Sequence, residues 1–411
     1  MKNHISILIG LLASTAFTTS VLAKSIDKIE QPTLVSFAKL PANTFAAGPI
    51  SGTKIEEKNN IRPPFKSQPV QGFSAALKNK DGSYLLMPDN GYGTQDNSAD
   101  FLLRIYRVKP EFRTKTQAHS EIKVLDFIQL RDPNRLIPFG ITQGQTEARL
   151  LTGADFDPES IQRVADGSFW IGDEFGPYLL HFSAEGILLD PPFSLPDPTH
   201  NNSPLRSPQN QLNRTAQNPV TPQVQRSGGF EGMALSPNQR YLYPILEKPL
   251  TTSTKNQLMI FQFDLVKKQY TPNYYFFELD KNATNIGDFQ MFSHKDGIII
   301  ERDANQGEKS AYKKLIQVKL KQKGQPVERK TLVDLLHIDN PHLLYSNHTA
   351  GDIGTTRDFK MPFETIESLI IESPKKLTLL NDNNYPFSTG RNPSEVDANE
   401  MIQIQLPRPL R

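Results

Sequence analysis

The sequence predicts an all-β protein folded as a β-propeller, with six blades as the preferred count and five or seven left open. Three observations carry that expectation. Apolar residues rarely recur at helical spacing, whereas short alternating runs bounded by Gly, Asn, Asp and Pro fill the chain. One unit, two strands around a tight turn, recurs five times. Polar or acidic residues fall at the same strand ends in each unit, which radial repetition explains and a β-sandwich does not.

The first element is an address. Lys2 precedes the apolar run 5–13, and Val21-Leu22-Ala23 forms a cleavage signal before Lys24. The run is too short to span about 30 Å of hydrocarbon. Residues 1–23 therefore read as a signal peptide, and 24–411 as one exported domain, periplasmic or secreted, with no membrane anchor after cleavage. Ser14 stands where a lipoprotein would need Cys.

The repeated units start at Ser74, Glu159, Glu231, Asp288 and Glu367, 57 to 85 residues apart. Each start runs into an apolar strand and then a turn: Asp81-Gly82, Asp166-Gly167, Pro237-Asn238, Asp296-Gly297 and Pro374-Lys375. A second strand follows and ends in a polar cluster around Asp89-Asn90, Asp173-Glu174, Glu247-Lys248, Arg302-Asp303 or Asp382-Asn383. Glu159 lies seven residues before Asp166, and Asp173 lies seven after it. Residues equidistant from a hairpin turn sit side by side. The start of each unit should therefore meet its terminal cluster at one end of the hairpin.

The spacing leaves room for two outer strands per unit. Leftover strands at 33–37 and 401–406 would pair to close a sixth blade. The stretch 190–229 holds eight prolines and few apolar residues, so it is expected to bury little and to cross a propeller face as a lid or loop.

Composition removes several functions. Lys and Arg total 46 against 44 Asp and Glu, which offers nucleic acid no concentrated basic surface. With 37% hydrophobic and 22% charged residues the chain is not a polytopic membrane protein. Cys is absent, so disulfides, thiolate metal sites and cysteine nucleophiles are excluded. There is no Gly-x-Ser-x-Gly elbow and no P-loop. The eight His are scattered without an acid or Ser partner at a diagnostic spacing, so His181 and His294, nearest the repeats, read as structural. Phe169, Trp170 and Phe175 read as packing.

In a propeller the innermost strands line the channel, so Glu159, Glu231, Asp288 and Glu367 should gather at one end of it, near Asp89, Asp173, Glu247, Asp303 and Asp382. Such carboxylates repel one another unless a cation or protons neutralise them. Asp89, Glu159, Glu231, Asp288, Glu367 and Asp382, helped by the amides of Asn90 and Asn383, are the candidate metal ligands. An all-oxygen set suits Ca²⁺, and the lack of Cys and His disfavours Zn²⁺. The same metal would serve equally well to pin blades together. Arg302 and Lys248, each within an acidic cluster, either neutralise neighbours or bind a substrate anion.

The segments Asp155-Phe156-Asp157-Pro158-Glu159-Ser160, Gly172-Asp173-Glu174-Phe175-Gly176-Pro177 and Phe230-Glu231-Gly232-Met233-Ala234 resemble a bacterial phytase-like family, the "esterase-like activity of phytase" family. The resemblance extends from about 69 to 400, through Pro88-Asp89-Asn90-Gly91, Glu301-Arg302-Asp303 and Asn381-Asp382-Asn383-Asn384. Ala75, Ser160 and Ser368 stand where the family often has Gly. The resemblance implies a propeller, export and calcium-dependent hydrolysis of an ester, without implying phytate.

The leading expectation is thus a monomeric, exported hydrolase of small phosphate or carboxylate esters. Channel-bound Ca²⁺ would activate a water, Glu231 or Asp173 would act as general base, and Arg302 would steady the developing negative charge. The alternatives are a non-catalytic, calcium-stabilised binding propeller of the bacterial envelope, and a purely structural calcium with catalysis elsewhere.

Overall fold

The computed structural model describes residues 30–345 and 348–411; the signal peptide expected at 1–23 lies outside them. Among the described residues, four four-stranded antiparallel sheets and one six-stranded sheet, extended at its edge by the short strands Ile338–Asp339 and Asp358–Phe359, form five blades. Blade 1 comprises Phe73–Lys78, Tyr84–Pro88, Arg104–Glu111 and Glu121–Gln129. Blade 2 comprises Pro158–Arg163, Phe169–Asp173, Tyr178–Phe182 and Phe193–Ser194. Blade 3 comprises Phe230–Leu235, Tyr241–Leu246, Gln257–Asp264 and Gln269–Glu278. Blade 4 comprises Asn285–Met291, Asp296–Arg302, Lys313–Lys319 and Glu328–Asp334. In blade 5, Thr365–Ser373, Lys376–Asp382 and Asn399–Gln405 are completed by the N-terminal strand Thr33–Leu40.

The blade count equals the number of repeats in the sequence. The leftover end strands do pair, Thr33 opposite Gln405 through Leu40 opposite Asn399, but they join the sheet of the fifth repeat. Six blades would need that pair to stand as a separate sheet. Closing one blade with strands from both ends ties the ring shut and removes two open edges.

The first strand of each blade packs against the first strands of both neighbours, so these five line the channel. The apolar core lies in the seams between blades. Leu85 and Met87 enter the cluster shared with blade 2, while Tyr84 and Leu86 enter the one shared with blade 5. Successive strand residues face opposite sides, so a strand buried on both faces is apolar throughout, as Tyr84–Pro88 is.

The starting residue of each repeat sits in a β-bulge. Register slips past Ser74, Glu159, Glu231, Asp288 and Glu367 in turn. A bulge leaves one residue unpaired and re-aims its side chain, which delivers these five positions to the channel end. The backbones crowd there: a Cβ on Gly287 would stand 2.0 Å from the Ile366 carbonyl oxygen.

Residues 190–229 are more tightly integrated than their composition suggests. Phe193–Ser194 forms the outer strand of blade 2, and Leu195, Leu205 and Val224 are buried in the seam between blades 2 and 3. The expectation that this stretch buries little is therefore corrected: the prolines are spread between apolar anchors, not collected into a free loop.

Candidate carboxylate site at the channel end

The bulges and the ends of the second strands bring the acidic residues together as the hairpin arithmetic required, with Pro158 opposite Asp173 and Ser160 opposite Gly172 on either side of Glu159. Asp89, Glu159, Glu231, Glu367 and Asp382 interact electrostatically within one buried group, joined by Asp157, Glu174 and Glu247. Two triplets are tight enough for one oxygen of each member to lie within 4.8 Å of the others: Asp89, Asp157 and Glu159, and Glu174, Glu231 and Glu247.

Arg302 faces this group. Its Nη2 donates to Glu367 Oε1 at 2.8 Å and stands 3.7 Å from Glu231 Oε1 and 3.9 Å from Glu247 Oε1. Ser74, the one starting residue that is not acidic, donates to Glu367 Oε2 at 3.2 Å. Lys248 lies 3.1 Å from Glu247 Oε2 and donates to the carbonyls of Arg226 and Ser227. The long segment thus ends on the site. A Cβ on Gly229 would meet the Glu174 carbonyl oxygen at 2.1 Å.

Several of the residues expected at the site have their oxygens taken. Asp173 accepts the N–H groups of Asp157, Phe175 and Gly176 at 2.9, 3.3 and 2.7 Å, fixing the turn that presents Glu174. Asp288 accepts from the N–H of Phe289 at 2.6 Å and of Leu369 at 2.9 Å, and from the Gln290 amide. The Asn90 and Asn383 carbonyl oxygens accept from Gly93 and Gly72. Asp303 is taken by Lys313 at 2.8 Å and by the N–H groups of Ala311 and Tyr312. By contrast Glu231, 3% exposed, has an Oε1 that accepts no hydrogen bond from the described residues.

Burial dominates the electrostatics. It pushes Asp157 up to about 6 and Asp173 and Asp288 up to about 7. It raises Asp89, Glu159, Glu174, Glu231 and Asp382 well above the carboxylate range, with repulsion from neighbouring carboxylates adding to it. Burial opposes the charge on Arg302, but Glu367, Glu231 and Glu247 together raise its pKa. An all-oxygen donor set under such repulsion fits a hard divalent cation.

Asp157 was not among the candidate ligands. It stands two residues before Glu159, just ahead of the bulge, and its signal was the three alternating acids of Asp155-Phe156-Asp157-Pro158-Glu159.

His181 has partners that chain spacing did not reveal. Its Nδ1 meets Asp190 Oδ2 at 2.6 Å, its Nε2 meets Ser168 Oγ at 3.0 Å, and its ring stacks on Trp170. The order of contacts matches a Ser-His-Asp triad. The Ser168 hydroxyl, however, donates to Asp166 Oδ1 at 2.6 Å and its N–H does so at 2.9 Å. Ser83 makes the same two bonds to Asp81 in blade 1, with Asn79 as its other partner. The constellation is a hydrogen-bonded hairpin turn at the far end of the strands from the carboxylates.

Fold and site define a class: a five-bladed propeller whose channel ends in a buried, cation-flanked carboxylate ring. The chain belongs to the phytase-like family described as esterase-like activity of phytase, whose model matches residues 68–385. An uncharacterized secreted protein of Arthroderma benhamiae (strain ATCC MYA-4681 / CBS 112371) is 25% identical over 307 residues. That match covers 57% of this chain and 58% of the Arthroderma protein. Solved structures are more distant. A GH43 β-1,3-galactosidase aligns over 82% of this chain and 91% of its own at 8% identity and a TM-score of 0.42. A gluconolactonase of Xanthomonas campestris aligns over 81% and 71% at 10% identity and a TM-score of 0.33.

Proposed function

We propose that this protein is an exported, metal-dependent hydrolase of small phosphate or carboxylate esters, acting at the carboxylate ring with Ca²⁺ as its metal. The observation that carries the reading is Glu231 Oε1, a buried carboxylate oxygen without a hydrogen-bond partner, 3.7 Å from the Arg302 guanidinium. A base and an anion-stabilising cation are thereby neighbours. Membership of the phytase-like family and the secreted Arthroderma relative support hydrolysis and export.

Bound in the ring, calcium would supply a Lewis acid and lower the pKa of a water. Glu231, through the carboxylate oxygen it does not lend to the ion, would take the proton of the attacking water. Asp173 is a poor second candidate, because three backbone N–H groups engage its oxygens. Arg302, held by Glu367, balances negative charge on the ester oxygen as it develops.

A second reading, a calcium-stabilised binding propeller without turnover, is favoured by the depth of burial: Glu231, Glu247 and Glu367 are 3%, 7% and 5% exposed. One experiment separates the two. The chelator-stripped protein is assayed on a panel of phosphate and carboxylate esters, with and without added calcium. Calcium-restored turnover on one ester class is expected. Calcium that raises the melting temperature without turnover on any ester would replace the hydrolase by the binding propeller.

A further inference from the structure

We propose that the cation seat of the ring is the triplet Glu174, Glu231 and Glu247, at the seam of blades 2 and 3, and that it takes one divalent cation of calcium's size. The inference rests on the reading of the ring as a metal site and changes its ligand set, since Glu174 and Glu247 were not among the six candidate ligands. It also separates this seat from the adjacent triplet Asp89, Asp157 and Glu159.

The geometry suits a single ion. Oxygens that each lie 2.3–2.6 Å from a Ca²⁺ can be no more than about 5 Å apart, and one oxygen of each glutamate falls within 4.8 Å of the others. The three carboxylates come from fixed points: Glu174 from the turn pinned by Asp173, Glu231 from the bulge of blade 3, and Glu247 from the end of that blade's second strand.

The second observation is the unpartnered Oε1 of Glu231, inside the triplet and buried. A buried acceptor without a donor is held at a cost that a bound cation removes. The neighbouring triplet differs: both oxygens of Asp157 take Asn90 donors, at 3.1 and 3.0 Å, and Asp89 Oδ1 takes the Gly91 N–H at 2.8 Å.

Charge supports the same choice. With all four ionised around a bound ion, Glu174, Glu231, Glu247 and Glu367 face two cations, Arg302 and Lys248, which leaves two negative charges for one divalent ion to offset. Lys248 Nζ, 3.1 Å from Glu247 Oε2, then competes with the ion for that carboxylate. Its removal should strengthen cation binding, an effect with the opposite sign to loss of a ligand.

The test is calorimetric titration of Ca²⁺ into the chelator-stripped full chain, with near-UV circular dichroism to verify each fold. One Ca²⁺ per chain is expected. Glu247→Gln should weaken binding by about tenfold or more, and Lys248→Met should tighten it severalfold, as removal of an opposing or like charge a few ångströms away requires. Glu159→Gln, in the neighbouring triplet, should weaken binding clearly less than Glu247→Gln, because its carboxylate repels the seat's glutamates without holding the ion. Should Glu247→Gln not fold, Glu174→Gln takes its place with the same expected loss. The proposal fails if the parent binds no Ca²⁺, if both seat variants bind like the parent, if Glu159→Gln loses as much as Glu247→Gln, or if Lys248→Met does not tighten binding. Ca²⁺ bound as expected without ester turnover keeps the seat and removes the hydrolase. Turnover by a chain that binds no Ca²⁺ removes the seat and keeps hydrolysis.

Discussion

Arg302 Nη2 donates to Glu367 Oε1 at 2.8 Å across the seam between blades 4 and 5, with neither side chain more than 6% exposed. The end of one blade's second strand is thereby tied to the bulge of the next blade's inner strand. Replacing Arg302 with Met leaves Glu367 buried without its cation, which costs about 3–5 kcal/mol when a buried pair is broken from one side. Urea unfolding of the chelator-stripped protein measures this. Adding Glu367→Gln should restore part of the loss, and strict additivity of the two changes would show that the pair is not coupled.

Glu231→Gln separates chemistry from stability. Turnover should fall by about 10²–10⁴-fold, the usual contribution of a positioned base. The unfolding midpoint in chelator should hold or rise, since a neutral amide is easier to bury than a carboxylate oxygen without a donor. Undiminished turnover would remove Glu231 from the mechanism.

The pH dependence of the metal-free protein has a definite sign. Burial holds Asp157 at about 6 and Asp173 and Asp288 at about 7 in the folded chain, against about 3.9 when unfolded. Between about pH 4 and 7 the folded state therefore binds more protons than the unfolded state, and stability falls as pH rises through that window. Melting curves in chelator should shift downward from pH 5 to about 7.5, and calcium should flatten the trend. A melting temperature that climbs over this range contradicts the assignment.

Ser168→Ala tests the triad-like contacts of His181. Ester turnover should be unchanged, while stability falls by about 1 kcal/mol for the lost bonds to Asp166 and His181. Loss of turnover in this variant, with the ring intact, would move the chemistry to the opposite end of the strands.

Much of this was legible along the chain, because a β-hairpin converts distance from a turn into adjacency. The count from Glu159 to Asp166 to Asp173 anticipated the pairing observed, and the five starts of the repeats are the five bulges. The blade count was not legible from the end strands. Two unmatched strands look alike whether they form a sheet of their own or complete another one. Residues 190–229 misled for a similar reason: composition counts apolar residues but does not say that Leu195, Leu205 and Val224 all reach one seam.

Strand alternation, turn chemistry and the repeat were local properties, so the fold class and the gathering of acids at one channel end followed from the residues themselves. Which oxygens stay free was decided only in the folded chain. Asp173 and Glu174 are consecutive and equally acidic, yet the first is occupied by three backbone N–H groups while the second faces Glu231 and Glu247. Asp173 takes its donors from its own hairpin, whereas Asp288 accepts the Leu369 N–H and Glu367 the Arg302 guanidinium from neighbouring blades, partners that no pattern within one unit specifies.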